Sequence, residues 1–308
     1  MSLSKELWHP IVLERLYDGY KQMQSIATED SGFLIKQGSR FRKVHIANAG
    51  GLGSNITKND STLALTPTKR TDVKVEYDLD KYELGPNVID RETVLSTAYD
   101  TINSNVQQML GNMSEGLAYE IRKTWFADDF MIETSGSGVT ATFGTGERAM
   151  FTYDDVLLAK RKLDSQKMPL QDRYLLLGAS HANDLLEDLF KNNYNVRWVE
   201  KDNLSILDQK VLGFTIVQFP VVLMGEVSGS TIVPLSYEEA PTDPGQLTEV
   251  SFAYHKNYVS MSKDDVHIFY EADSPIFRGD ILTLQSFCGG GLRDNDGIGV
   301  IPIVGKVV

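Results

Sequence analysis

The sequence predicts an α+β protein in which one very long helix lies on a β-sheet, and three observations support this prediction. Apolar residues recur at spacings of three and four between Leu95 and Trp125, which is the period of a helix. Apolar and charged residues alternate from Val73 to Asp80, and further runs of strand composition lie between Glu249 and Val304. From Thr152 to Phe219, short helical patterns alternate with short strand patterns. The chain therefore divides into a sheet-and-helix unit and a second, mixed α/β unit.

The long helix is the strongest local pattern in the chain. Asp90 suits its N-cap, Glu92 lies favourably in its first turn, and the apolar spacing persists to Phe126. A helix of about 36 residues would extend ~54 Å, against a usual mean length of about 11–12 residues. Because the other face of this helix is polar, it needs a broad, flat surface beneath it.

The region before the long helix is predicted to be extended. Residues 10–24 predict a short helix with one apolar face, made of Leu13, Leu16, Tyr17, Tyr20 and Met23. Strands with one apolar face follow between Val44 and Asn87. Within them, residues 48–72 are poor in large apolar side chains, so this stretch cannot build a core of its own. A two-stranded ribbon is marginal alone in water, and we expect this one to lie on a neighbouring subunit.

The second unit is predicted to begin at residue 152. The run Thr152–Asp155 has the pattern of a capping box, and the helix that it starts ends near Met168. Residues 173–177 predict a buried strand, Ser180 is expected to cap a helix that runs to Phe190, and residues 214–219 predict another strand. Strands are also predicted in the tail, at Glu249–Tyr254, Val266–Tyr270, Ile281–Phe287 and Ile298–Val304.

Composition restricts the possible functions. The chain of 308 residues has a net charge of −12, so its surface as a whole should repel polyanions, which disfavours a sequence-reading DNA-binding protein. Cys288 is the only cysteine, which excludes an internal disulfide and a cysteine-cluster metal site and fits a reducing cytosol. Residues 1–10 lack the pattern of a signal peptide, and nowhere do eighteen apolar residues follow one another. We therefore expect a soluble protein that is not secreted by a signal peptide and has no membrane partner.

Two motifs resemble ligand-binding loops only in part. Phe143–Ala149 matches the dinucleotide fingerprint with alanine in the last place, but the next helix is capped only at Thr152, so a loop or hairpin is favoured. Asp294, Asp296 and Gly297 resemble part of a calcium loop. Leu292 occupies the place of the first ligand and no glutamate closes the loop, so a tight turn is favoured there.

The remaining reactive residue types form no recognisable site. The histidines show no metal-ligand spacing and are expected to be isolated surface or strand residues; they are His9, His45, His181, His255 and His267. The chain has no nucleophile elbow and no phosphate-binding loop, and Cys288 lies at a strand end without a recognisable base beside it. We therefore predict no catalytic, cofactor-binding or metal-binding residue, no cofactor and no enzymatic activity.

The order of these elements resembles the Hong Kong 97-like major capsid proteins of tailed bacteriophages across nearly the whole chain. Two stretches are more specifically similar to segments of that family. Lys210–Phe214, with the strand that ends at Pro220, looks like an axial-domain segment. Asp273–Ile281, followed by Gly289–Arg293 and Asp296–Ile298, looks like the closing peripheral strands.

The resemblance implies the Hong Kong 97-like capsid fold and a division of the chain into five parts. These are an N-terminal arm, an extended β-hairpin loop, a peripheral domain with the spine helix, a mixed α/β axial domain and a set of peripheral return strands. The implied boundaries are 1–43, 44–87, 88–151, 152–262 and 263–308 respectively. The spine helix itself would occupy residues 88–128.

The implied function is structural. The chain would self-assemble through hexamers and pentamers into an icosahedral head around the phage's double-stranded DNA, without sequence-specific DNA binding. No charged helical extension precedes the arm, so a separate scaffolding protein is implied unless the numbering begins after processing, with a portal and decoration proteins as further partners. The protein would be located in the virion after assembly in the bacterial host cytoplasm.

Three other possibilities remain open. Some relatives join their subunits by Lys–Asn isopeptide bonds, for which Lys58 or Lys69 with Asn295 would be the candidates. An encapsulin-like nanocompartment shell would have the same architecture around a protein cargo, with a cargo-peptide groove near the N-terminal helix. A soluble α/β enzyme with residues 129–262 as its catalytic unit would need a concave pocket with perturbed ionisable groups.

Overall fold

The computed structural model describes residues 22–37, 41–48, 72–201, 204–229, 231–264, 266–277 and 279–307. In chain order, the strands of this part are β1 (Thr28–Glu29), β2 (Leu34–Gln37), β3 (Phe41–Asn48), β4 (Val73–Asp78), β5 (Asp80–Asp90), β6 (Ile132–Glu133), β7 (Gly138–Thr140), β8 (Glu147–Ala149), β9 (Arg173–Leu177), β10 (Trp198–Lys201), β11 (Leu204–Leu207), β12 (Thr215–Gln218), β13 (Leu223–Ser228), β14 (Thr231–Pro234), β15 (Leu247–His255), β16 (Val259–Lys263), β17 (His267–Ser274), β18 (Gly279–Leu292) and β19 (Val300–Val304). The helices are α1 (Arg91–Lys123), α2 (Tyr153–Ser165) and α3 (Ala179–Lys191).

A five-stranded sheet is organised around β18. This strand pairs in antiparallel fashion with β5 on one side and with β17 and β16 on the other, and β1 adds to β16 in parallel. Alternate residues of β18, such as Leu282 and Leu284, are buried, while Ile281 and Thr283 on the opposite face are partly exposed. One face of the sheet therefore belongs to the core.

Helix α1 lies on that buried face. It has 33 residues, and its buried side chains Val106, Leu110 and Ile121 belong to the same core as Leu282 and Leu284. The prediction of one unbroken long helix is therefore confirmed. The sheet supplies the flat surface that an amphipathic helix of this length requires.

A nine-stranded sheet forms the second unit. Its main path is β10-β11-β12-β9-β15-β13-β14, with β19 beside β15 and β6 beside β19. Helices α2 and α3 cover one face, where Val156, Leu163 and Leu185 share a core with Leu175 and Ile216 of the sheet. The capping box predicted at Thr152 and Asp155 is present at the start of α2.

The two sheets share one core. Leu176, Val217 and Phe252 extend from the helix-free face of the nine-stranded sheet into the cluster that also contains Leu284 and the side chains of α1. The end of α1 is therefore packed between both sheets. A smaller three-stranded sheet, β2-β3-β4, lies beside β18, and Asn48 pairs with Val73 at its far end.

Several predictions of the sequence need correction. Ser180 is not the N-cap of α3, because the helix begins at Ala179 with Gly178 as its N-cap. The predicted tail strand at residues 298–304 corresponds to β19, which pairs with β15 in the nine-stranded sheet and not with the returning strands. Conversely, β16 lies within the span assigned to the axial domain but pairs with β18 in the five-stranded sheet.

Two further predictions concern the region before α1. Of the short helix predicted at residues 10–24, the structure describes only residues 22–24, which are helical, and the helix continues to residue 26. The part of the predicted strand region 44–87 that falls on residues 49–71 lies outside the described residues. Among the helices that are described, none is both long and apolar enough to cross a membrane.

Candidate functional site

The ribbon formed by β3 and β4 is attached to the rest of the chain by a chain of polar contacts. The hydroxyl of Tyr77 lies 2.7 Å from the hydroxyl of Ser260, which in turn donates to the carboxylate of Asp30. Ser260 therefore accepts from Tyr77, and burial raises the pKa of Tyr77, which keeps the phenol protonated. Arg293 completes the chain, with its Nε 3.3 Å from Asp30 Oδ2.

A second set of contacts fixes the start of β3. The Nε of Arg42 lies 2.6 Å from the carboxylate of Asp264, and its guanidinium carbon lies 3.6 Å from the centroid of the Phe287 ring. Phe287 belongs to a small apolar cluster with Val44 and Leu79. A buried ion pair and a cation–π contact thus hold the ribbon to the five-stranded sheet.

The far end of the described ribbon also contacts its own chain. The side-chain amide of Asn48 donates to the carboxylate of Asp294 at 3.1 Å. The strands at residues 41–48 and 73–78 therefore lie on their own subunit. The prediction that residues 48–72 lie on a neighbouring subunit falls almost entirely on residues 49–71, which are outside the described part of the chain.

The run Gly289–Gly291 explains how closely the ribbon, helix and sheet approach one another. A Cβ at Gly289 would lie 2.6 Å from the carbonyl oxygen of Asp78, at the end of the ribbon. A Cβ at Gly290 would lie 2.9 Å from both the Ile121 side chain and the Ser260 carbonyl oxygen. Any larger residue at these positions would push α1 or the ribbon away from β18.

The end of α1 connects both sheets with the N-terminal segment. Trp125 donates its indole N–H to the carbonyl oxygen of Ser260 at 3.0 Å, and its ring lies 5.6 Å from that of Tyr254. Tyr254 in turn donates to the carbonyl oxygen of Ile26. Since these residues are buried, the helix end, both sheets and residues 22–30 form one packed junction.

An apolar surface remains exposed at the β17–β18 turn. Ile276 is 80% exposed, and Phe277 and Phe269 are each 54% exposed. Strand pairing places Val88, which is 40% exposed, directly opposite Ile281 on the same face as Phe269. Grouped apolar exposure of this kind is typical of a surface that another protein covers.

The described part of the second unit contains a buried polar cluster that the sequence did not predict. His181 is completely buried in α3, so its prediction as an isolated surface or strand residue is wrong. Its Nδ1 lies 2.8 Å from the hydroxyl of Ser251, and burial lowers its pKa against the smaller opposing effect of Glu249. The buried carboxylate of Glu249 accepts the backbone N–H groups of Ser180 and His181 at the start of α3.

This cluster does not form a catalytic arrangement. Both Ser251 and the Glu249 carboxylate approach the same ring nitrogen of His181, whereas a triad needs the two nitrogens to face different partners. All three residues are also buried away from solvent. The cluster stabilises the start of α3, because the Glu249 carboxylate accepts hydrogen bonds from backbone N–H groups that would otherwise be unpaired.

The remaining predicted motifs have structural explanations. Residues 143–149 belong to a hairpin between β7 and β8, as expected. Asp294 and Gly297 form the predicted tight turn, with Gly297 at a φ of 68°. Cys288 is buried in β18, and this burial raises the pKa of its thiol. In the described part of the chain, no three His, Cys, Asp or Glu residues are grouped so that they could hold a metal ion.

The other histidines and the crosslink candidates are not brought together. His45 lies 3.2 Å from Glu76 within the ribbon, His255 is buried at the end of β15, and His267 begins β17. His9, Lys58 and Lys69 lie outside the described residues, while Asn295 is exposed in the turn after β18.

A long helix on a sheet, a ribbon at the sheet's edge and a second mixed unit together define the Hong Kong 97-like capsid fold. Comparison with solved structures agrees. The capsid of Ralstonia phage GP4 matches with a TM-score of 0.57 and 10% identity, over 92% of this chain and 87% of that chain. The capsid of cyanophage P-SCSP1u matches with a TM-score of 0.56 and 13% identity, over 91% and 86%.

Shells that are not phage heads have the same fold. The SrpI encapsulin of Synechococcus elongatus PCC 7942 matches with a TM-score of 0.55 and 9% identity, over 91% of this chain and 86% of that chain. No protein-family model matches the sequence, and neither does any curated protein. At these identities the similarity establishes the fold, which is that of shell-forming capsid subunits.

Proposed function

We propose that this chain is the major capsid protein of a tailed bacteriophage, a structural subunit that assembles into the icosahedral head around the genome. The observation that carries the proposal is the coverage of the structural matches, since phage capsid subunits align with 91% and 92% of this chain. The match therefore extends over most of the chain and is not limited to one common substructure.

The surface of the subunit supports assembly with other copies. The exposed apolar residues at the β17–β18 turn lie on or directly after β17, an edge strand of the five-stranded sheet, where an isolated subunit would be prone to association. The ends of the segment at residues 49–72 start and finish side by side, because Asn48 pairs with Val73. We propose that this segment overlaps a neighbouring subunit.

The proposed organisation keeps the five parts of the chain, which are the arm (1–43), the extended loop (44–87), the peripheral domain (88–151), the axial domain (152–262) and the return strands (263–308). Two strands are exceptions, because β16 joins the five-stranded sheet and β19 joins the nine-stranded sheet. Hexamers and pentamers, a separate scaffolding protein, a portal and decoration proteins are the proposed partners, and double-stranded DNA is packaged without sequence reading. The virion is the proposed location, after assembly in the host cytoplasm. The chain acts through its surfaces, and no catalytic residue or cofactor is proposed.

Electron microscopy of the purified chain, alone and expressed with its neighbouring genes, tests the proposal. Uniform closed shells are expected, and those from infected cells should contain DNA. A second candidate is an encapsulin-like compartment, which the match to SrpI favours. Shells that contain a protein cargo and no genome would support that candidate instead. A stable monomer or dimer at all concentrations would contradict both.

A loop replacement tests the role of residues 49–72 directly. Because Asn48 and Val73 are paired, an Asn-Gly turn can replace the segment without disturbing β3 or β4. The variant should retain its secondary structure and melting temperature but fail to form shells. The matched control replaces residues 49–72 by a Gly/Ser segment of the same length. If assembly depends on side-chain contacts of the segment and not on its length, this variant should also fail to form shells. Normal shells from both variants would contradict the proposed overlap.

A further inference from the structure

Strand β17 has one unpaired edge in the described part of the chain. On one side it pairs with β18, from His267 opposite Gln285 to Glu271 opposite Ile281, and no described strand pairs with its other side. An open edge of this kind presents a row of backbone N–H and C=O groups. Those groups are satisfied either by water or by a strand of another chain.

The other edge strands of the two large sheets have features that oppose the addition of a strand. β14 ends in Pro234, which has no backbone N–H, and β10 ends in Glu200 and Lys201. β5 contains Lys81 and Pro86, and its register with β18 shifts in the middle of the strand. β1 and β6 have only two residues each. Short, charged, irregular or proline-containing edges are the usual means by which proteins avoid pairing between chains.

The first five residues of β17 lack these features. The run His267–Glu271 contains no lysine, arginine or proline, and its register with β18 shifts only after Glu271. Its central residues Ile268, Phe269 and Tyr270 are of the types most favoured in strands. Phe269 is 54% exposed, although it is a large apolar side chain. This edge therefore suits the addition of another strand.

The same five residues are complementary to a second copy of themselves. In an antiparallel pair centred on Phe269, His267 lies opposite the partner's Glu271, and Ile268 lies opposite the partner's Tyr270. Imidazole against carboxylate, aliphatic against aromatic and aromatic against aromatic are cross-strand pairs that stabilise a sheet. Centring the pair one residue away on either side would place Phe269 opposite Glu271 or His267 instead. The side chains therefore favour one register.

The two faces of the sheet are compatible with this pairing. Ile268 packs against the core that contains α1, and His267, Phe269 and Glu271 lie on the opposite face, because side chains alternate along a strand. A two-fold axis perpendicular to the sheet keeps each face on the same side in both copies. The pair therefore buries no charged side chain against the core of either subunit.

We propose that β17 of one subunit pairs in antiparallel fashion with β17 of a second copy about a two-fold axis at Phe269. The two five-stranded sheets then become one ten-stranded sheet. This contact rests on the proposed function and deepens it, because it identifies one of the surfaces through which the copies assemble. A ladder of five residues extends only about 17 Å. The contact is therefore weak between two separate subunits and gains strength where other contacts in a shell hold the same two copies.

Disulfide trapping across the axis tests the proposal in the full chain. Phe269→Cys places two cysteines directly opposite each other, within disulfide reach. The native Cys288 does not compete, because it is buried in β18. Slow oxidation of the concentrated subunit and of assembled particles, followed by non-reducing electrophoresis, should convert most chains into covalent dimers, since the disulfide accumulates even from a weak contact. In case loss of the Phe269 ring weakens the contact, His267→Cys/Glu271→Cys retains this ring and links the copies at both ends of the ladder.

Two single-cysteine variants are the controls. Val233→Cys lies on the edge strand β14, where Val233 has the same exposure of 54% but is followed by Pro234. It should give at least about tenfold less dimer than Phe269→Cys. Tyr270→Cys lies one position further along β17. Two copies of this position would be diagonal neighbours, about 7–8 Å apart, so it should also crosslink poorly.

A charge exchange tests the register separately. On the Phe269→Cys background, His267→Glu places two carboxylates opposite each other on both sides of the axis, which should lower the initial rate of crosslinking about threefold. Adding Glu271→Lys restores opposite charges across the axis and should restore the rate.

Three outcomes overturn the proposal. Yields at residues 267–271 no greater than that of the Val233 control would show that this edge is not paired. A higher yield for Tyr270→Cys than for Phe269→Cys would show a different register. A lower rate that Glu271→Lys does not reverse would show that the opposite charges do not face each other. Microscopy of the same samples reports shell formation separately: shells without the crosslink contradict this contact alone, whereas crosslinked dimers that never form shells contradict the proposed capsid function.

Discussion

Two buried arginines, one in each unit, differ in how completely their side chains are hydrogen-bonded. Arg173, at the start of β9, donates to the Asp164 carboxylate at 2.7 Å and to the carbonyl oxygens of Met168 and Pro169. Arg122, near the end of α1, donates through Nε to the carbonyl oxygen of Ala118, and its guanidinium lies over the ring of Phe219. Its Nη2 has no hydrogen-bond partner among the described residues.

The two arginines differ in their hydrogen bonds: all three side-chain nitrogens of Arg173 have a partner, whereas Arg122 Nη2 has none among the described residues. Burial without a carboxylate lowers the pKa of Arg122 to about 9 from 12.5, whereas each of the three nitrogens of Arg173 donates a hydrogen bond. In the unit built on the nine-stranded sheet, the buried cation is therefore fully hydrogen-bonded. The junction between α1 and the nine-stranded sheet gives up stability to hold one.

The largest effect is expected from removing the satisfied arginine. Arg173→Met leaves two carbonyl groups without their donor and removes one of the two cationic partners of Asp164, which should cost about 3 kcal/mol, or roughly 6–12 °C in Tm. Calorimetry of the unassembled subunit measures this change. Arg161→Met on the exposed face of α2 is the control and should change Tm by no more than about 1–2 °C. Equal losses in the two variants would contradict the special role of Arg173.

The opposite sign is expected at the other site. Arg122→Met replaces an incompletely bonded buried cation by an apolar side chain of similar length, and should raise the stability by about 1–3 kcal/mol. The same calorimetric measurement detects it as a higher Tm. A fall in Tm comparable to that of Arg173→Met would show that the cation–π contact with Phe219 satisfies Arg122 fully.

A third prediction uses pH to test the burial of His181 in the second unit. His181 is buried in its neutral form with a lowered pKa, so below the ordinary value of 6.5 only the unfolded chain binds its proton. Stability should therefore fall as the pH decreases from about 6.5, by up to ~1.4 kcal/mol per unit from this residue. His181→Gln should flatten the dependence of Tm on pH between 7.5 and 5.

The control for this experiment is His267→Gln, at an exposed position in β17. It should leave the slope unchanged. An unchanged slope in His181→Gln as well would show that other groups determine the acid sensitivity. His255 is one such group, because burial lowers its pKa too.

The smallest effect is expected from the exposed partner of Asp164. Lys160 lies 2.6 Å from that carboxylate, one helical turn away on α2, and contributes to its lowered pKa together with Arg173. Since this pair is partly exposed to solvent, Lys160→Met should cost no more than about 0.5 kcal/mol. A larger loss would mean that Asp164, and not Arg173, is the centre of this network.

The sequence alone was enough to predict those elements that depend on interactions between residues close together in the chain. The apolar spacing of α1, the residues of β9 and the capping box at Thr152 and Asp155 each depend on neighbours within one or two turns, and each was predicted correctly. The hairpin at residues 143–149 was predicted correctly for the same reason, because the next helix starts too late for a nucleotide-binding loop.

The contacts that attach the ribbon could not be predicted in this way. Tyr77 and Ser260 are 183 positions apart, and nothing in either local pattern identifies the other. The position of β19 shows the same limit, since an apolar run such as Val300–Val304 fits a central strand of either sheet. His181 was mistaken for an isolated residue because its partners Glu249 and Ser251 come from a strand far along the chain.

The pairing of β19 with β15 has a consequence for synthesis of the chain. Five consecutive residues of β15, Val250–Tyr254, form their ladder with β19, while β16, β17 and β18 are made in between. A ribosome that has finished β15 therefore leaves an apolar strand with an open edge until residues 300–304 have been translated. During that interval the open edge of β15 can mispair with other nascent chains.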